Sequence, residues 1–143
     1  MTEYQKILIL LDLSRDSEQV ALAGKRIASY SDAAMVILHV VEFAPVEPMG
    51  ESLMPSVQIE EELLQRSRTR LDELVDRLGL TGADCRVAAG STKSEILKTA
   101  SEVRADLIVL GSRERHGLAI LVNFTEDTVL HAAHCDVLAV RLK

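Results

Sequence analysis

The most chemically suggestive stretch runs from Asp106 to Arg141, where DLIVLG stops at Gly111 and gives way to the polar loop SRERHGLAILVN, then to FTEDTVLHAAH and DVLAV. An apolar run that breaks at a glycine, crosses a polar loop and opens a helix is how α/β proteins present converging backbone N–H groups to an anion. Nucleotide binding is therefore the first function to weigh. Arg113, Arg115 and His116 supply charge in this loop and Gly117 supplies flexibility, although a charged loop is ordinarily just solvated. Farther along, His131 and His134 are spaced i, i+3 with Cys135 beside them. A shared helix face would bring two imidazoles and a thiol toward one metal. No fourth ligand is evident nearby, and histidines near a helix C-terminus already interact favourably with its dipole, so no metal site is expected. Cys135 next to His134 is no catalytic pair, because such a pair needs spatial geometry that adjacency does not provide.

Asp12 ends the first apolar run, and a solitary carboxylate there reads either as a ligand contact or as an Asx-type turn leading into a helix. His39, flanked by apolar residues, reads as a buried, hydrogen-bonded histidine. Neither G-x-x-x-x-G-K-[ST] nor G-x-G-x-x-G occurs. A phosphoacceptor receiver needs an acidic pair after its first strand, an aspartate ending the third and a lysine ending the fifth. Here the first strand offers only Asp12, the third ends Ala89-Gly90, and the last lysine is Lys143. A flavodoxin-like phosphate loop needs more hydroxyls than DLSRDSE contains. No hydrolase or transferase constellation is present, and fold alone licenses none.

These groups must be positioned by alternating elements. Ile7–Leu11, Met35–Val41, Leu107–Leu110 and Val137–Val140 are continuous Ile/Val/Leu-rich runs, as expected of strands covered on both faces. Cys85–Ala89, between Gly82 and Gly90, is a fifth and weaker strand. Helical stripes separate them: Val20, Gly24, Ile27 and Ala28; then Ile59, Leu63, Leu64, Ser67, Leu71, Leu74, Val75 and Leu78; then Ile96, Leu97, Ala100 and Val103; then Val129 and Leu130. Asp16 or Ser17 is expected to cap the first helix and Ser91 the third, while Asn123 with Glu126 resembles a capping box on the fourth. Strands alternating with helices imply a parallel sheet with right-handed crossovers, an α/β fold. Phe43–Val57 interrupts the rhythm with all three prolines and two methionines. It is read as a surface connection, or alternatively as a contact for a protein partner.

Composition bounds the function classes. The 143 residues suit a single domain over 1–143 with one core. A net charge of −6 argues against nucleic acid, which needs clustered Lys and Arg, and the absence of Trp with only two Tyr and two Phe leaves few stacking platforms for bases. No apolar run approaches a membrane span and the N-terminus lacks the pattern of a signal peptide, so no membrane association and a cytoplasmic location are expected. Two cysteines are too few for a disulfide framework.

The opening KILILLDLSRDSEQVALAGKRIA, with Asp12, Ser14 and Ser17 spaced D-x-S-x-x-S, resembles the universal stress protein family, as do ILHVVE at Ile37–Glu42, GSTKSEILKTA at Gly90–Ala100, ADLIVLGSRERHG and DVLAVRL. The likeness runs in register over essentially the whole chain. It implies a five-stranded parallel sheet of order 3-2-1-4-5 flanked by four helices, the open doubly wound, adenine nucleotide alpha hydrolase-like arrangement. It also implies a homodimer paired through the last strand, Val137–Leu142, whose open edge would otherwise template another chain. The ligand crevice would then lie between the first and fourth strands.

Some family members bind ATP and others do not. By carry-over from those that do, Asp12, Val40, Gly111, Arg113, Gly117, Asn123, Phe124 and Thr125 form a candidate nucleotide or anion site. Its motif is degraded. The second glycine falls on Glu114, and the closing glycine and hydroxyl fall on Asn123 and Phe124 in a loop one residue shorter. Glu114 adds bulk and a negative charge where backbone should approach phosphate, and like charges about 4 Å apart repel by roughly 4 kcal/mol at an effective dielectric near 20. Phe124 removes a hydroxyl. This pattern, with His134-Cys135-Asp136 before the last strand, is similar to the non-nucleotide-binding branch. The expectation is a stress-response protein acting by binding or association, with no cofactor and no reaction assigned. The alternatives are an ATP-binding regulator with at most weak ATPase activity, and a dimeric scaffold recruiting a partner through Phe43–Val57.

Overall fold

The computed structural model describes residues 3–42, 56–80, 82–113, 129 and 131–142. Five strands form one sheet in the order β3-β2-β1-β4-β5: β1 (Lys6–Leu10), β2 (Ala34–Val41), β3 (Asp84–Ala89), β4 (Leu107–Arg113) and β5 (Asp136–Leu142). Every neighbouring pair is parallel, as the apolar runs and the family resemblance lead one to expect. Three helices have described bounds, α1 (Ser17–Ser31), α2 (Ser56–Arg77) and α3 (Thr92–Val103). The fourth expected helix falls mainly outside the described residues, although Val129, His131 and Ala132 are helical. Among the described residues no helix is long and apolar enough to cross a membrane.

The central strand explains the layering. Ile7, Leu8 and Ile9 are each completely buried, and side chains of a strand alternate between faces. Ile7 and Ile9 enter one apolar cluster with Val20, Ala21 and Ala28 of α1 and Leu71 and Leu74 of α2. Leu8 enters the other with Ile96 of α3, Ile108 and Leu110 of β4, and Val129. A strand so enclosed can keep its amides bonded only through neighbours on both edges, which β2 and β4 provide.

The three helices with described bounds end in the same way. Asp32, Gly79 and Arg104 take left-handed backbone, with φ of 53°, 67° and 57°. The next residue's N–H then reaches back five positions, Ala33 to the Ala28 carbonyl, Leu80 to Val75 and Ala105 to Ala100. This closes the helix and turns an apolar residue back toward the sheet, the Schellman geometry.

Several local expectations are corrected. Ser17 is the first residue of α1, and the capping position, Asp16, makes no side-chain cap hydrogen bond. Ser91 occupies the capping position of α3 but likewise forms no side-chain cap bond. Ser56 and Val57, assigned to the proline-rich connection, begin α2; residues 43–55 lie outside the described residues. Ile59, expected in the buried stripe of α2, is 42% exposed, and that helix reaches the core only from Leu71 onward. Gly111 does not end the fourth strand, because pairing of Gly111, Ser112 and Arg113 with Val140, Arg141 and Leu142 extends β4 through Arg113.

Gly24 brings α1 onto β1. A Cβ there would collide with Ile9 Cδ1 and lie 2.7 Å from its Cγ1, against a side chain that is completely buried. Gly24→Ala is expected to destabilise the fold by about 1–3 kcal/mol, as overpacking does. Ile9→Val, which removes the closest methyl, should offset part of that loss. Denaturant midpoints of the single and double variants check this through their departure from additivity.

Candidate functional site

The carboxyl ends of β1, β2 and β4 gather the sequence-predicted residues at one edge of the sheet. Ile9 pairs with Ile37 and with Val109, so Asp12, Val40 and Gly111 follow at similar depth. This is where the strand order reverses, between β1 and β4, and open α/β sheets hold ligands at such a point. Gly117, Asn123, Phe124 and Thr125, with Glu114, Arg115 and His116, lie outside the described residues. Arg113 is described as the last residue of β4.

Asp12 is engaged internally. Its Oδ1 accepts the Ser14 backbone N–H at 2.9 Å and the Ser17 hydroxyl at 2.8 Å. The first bond is an Asx turn, and the second ties the turn to the buried first residue of α1. This explains the D-x-S-x-x-S spacing without a ligand. Between the two serines the chain passes through Leu13, buried but with φ of 61°, an uncommon conformation for a branched side chain. Arg70 of α2 donates from Nη2 to the Leu13 carbonyl at 2.8 Å, and sequence reasoning gave no sign of this tie.

Val40 is buried in the cluster that holds Ile96 and Leu110. Gly111 also has a packing explanation. A Cβ at this position would lie 2.8 Å from Leu142 Cδ1 and 3.2 Å from Val20 Cγ2. The space its missing side chain leaves is thus filled from α1 and β5. His39 is half-buried, with Nδ1 2.7 Å from the Leu11 carbonyl; that bond calls for the proton on Nδ1.

Glu42, one residue beyond β2, was not singled out by sequence reasoning. Its Oε1 accepts the Thr92 N–H at 2.8 Å, satisfying a free donor at the start of α3 from across the sheet edge. Hydrogen bonding from the Thr92 side chain, then from its backbone N–H, with Lys93 nearby, holds the Glu42 carboxyl below the ordinary glutamate value.

Neither cysteine has the character of a nucleophile. Desolvation pushes both thiols up, reinforced by Asp72 at Cys85 and by Asp136 and Asp106 at Cys135, and the thiolate is the reactive form. His131 and His134 are exposed. Among the described residues no three His, Cys, Asp or Glu side chains gather as a metal site.

The profile of the universal stress protein family matches residues 3–141. The chain belongs to that family. It is 34% identical over 144 residues to universal stress protein A homolog 2 of Coxiella burnetii, covering 100% of this chain and 99% of the relative. Among solved structures it is similar to universal stress protein UspA from Lactobacillus plantarum, at a TM-score of 0.79 and 22% identity over 99% of this chain and 100% of the other. It is also similar to a universal stress protein solved in complex with cAMP, at a TM-score of 0.71 and 22% identity over 97% and 98%. At such identities the two structures speak for the fold, which is the one found here.

Because the folded-state pKa of Glu42 is depressed, its contribution is present above the unfolded value, about 4.3, and is lost as pH falls through the folded one. Glu42→Gln should therefore be less stable than the natural protein near neutrality. The gap should narrow as pH falls below about 5. Chemical unfolding of both proteins across this range checks the sign.

Proposed function

We propose that this universal stress protein works in the cytoplasm by binding or association rather than by catalysing a reaction, and that its crevice holds ATP weakly or not at all. The observation that carries this reading is Gly111. Its want of a Cβ is accounted for by Leu142 and Val20, so the one glycine that matches the ATP-binding pattern has a structural reason to be there. Asp12 adds support, since its carboxylate already accepts two internal hydrogen bonds. The sequence adds the charge of Glu114 and the phenyl ring of Phe124 where a phosphate cradle calls for glycine and a hydroxyl.

The cAMP complex of a structural neighbour favours a second reading, adenine nucleotide binding in the same crevice. A cyclic monophosphate carries less charge than ATP and would meet less repulsion from Glu114. Calorimetry with ATP, ADP, AMP and cAMP, with and without Mg²⁺, separates the two. Weak or undetectable heats for ATP are expected, and a micromolar or tighter dissociation constant at physiological salt would sink the first reading. Glu114→Gly combined with Phe124→Ser should raise ATP affinity; no gain would locate the defect in the loop's length.

The association is proposed to be a two-fold homodimer. β5 pairs with β4 along one side and ends the strand order on the other, with Val137, Leu138 and Val140 only half-buried. Antiparallel pairing with its own copy would satisfy the open N–H and C=O groups and cover these side chains. Light scattering on a dilution series should show a dimer at tens of micromolar, and a monomer there would refute the pairing. Ala139→Pro, which removes a donor from the strand, should disrupt it. The proline-rich segment remains the candidate contact for a further protein partner.

A further inference from the structure

We draw no further inference here: the strongest candidate, the hollow at the amino ends of β4 and β5 lined by Glu3, Asp106 and Asp136, is a cluster of carboxylates in which Asp106 already holds the Gln5 and Lys6 amides and Asp136 the Tyr4 hydroxyl, and nothing in the structure points to a ligand there.

Discussion

Enclosure of β1 on both faces is the constraint from which the rest of the structure follows. A strand whose Ile7, Leu8 and Ile9 have no solvent exposure can bond its amides only to strands on either side and bury its side chains only against helices above and below. Parallel neighbours then require crossovers, and right-handed crossovers place α1 and α2 on one face and α3 on the other. Gly24, midway along α1, lets that helix lie close against Ile9 of β1.

The two ends of the sheet are built differently as a consequence. Helices return to the amino ends of the strands through a repeated left-handed residue and a bond back five positions, at Asp32, Gly79 and Arg104. Those turns are compact. At the carboxyl ends the chain leaves the sheet through turns held by carboxylates, Asp12 gathering Ser14 and Ser17 and Glu42 reaching Thr92. Asp12 holds the turn that leads into α1, and Glu42 meets a backbone N–H at the start of α3 that lacks a partner within the helix. A negative charge placed at either turn also raises the cost of bringing a polyphosphate close.

The parallel sheet was legible because its central strands are apolar throughout, a pattern that double-sided burial imposes and half-buried strands do not share. Its strand order was legible through the D-x-S-x-x-S opening and the later segments that resemble the family, not through periodicity. Local chemistry was harder to read. Ser91 looked like a cap by residue type, but the carboxylate that serves α3 comes from Glu42, fifty residues earlier in sequence, and no local pattern announces a partner so distant. Asp32 and Arg104 adopt a conformation usually associated with glycine, so neither helix end carries the usual letter. Ile59 fits the helical stripe, yet the side chain stays largely exposed in the fold. At the candidate site, Asp12 holds a turn and Val40 packs in the core, tasks that account for both residues without a ligand.

Gly111 shows why such a motif must be taken apart residue by residue. From sequence, a glycine closing DLIVLG is the mark of a backbone prepared for phosphate. In the fold it is flanked by Val20 and Leu142, and a side chain there would collide with one and crowd the other. A chain with this packing around β4 favours a glycine at that point whether or not it binds a nucleotide, since a Cβ would displace the Leu142 methyl. The first glycine of the motif therefore carries little information about the ligand. What distinguishes a phosphate cradle from a plain crossover must then come from the residues that follow, where the sequence puts a carboxylate at 114 and a phenyl ring at 124. Family membership fixes the scaffold on which that loop is mounted, and the loop's own chemistry decides what, if anything, it holds.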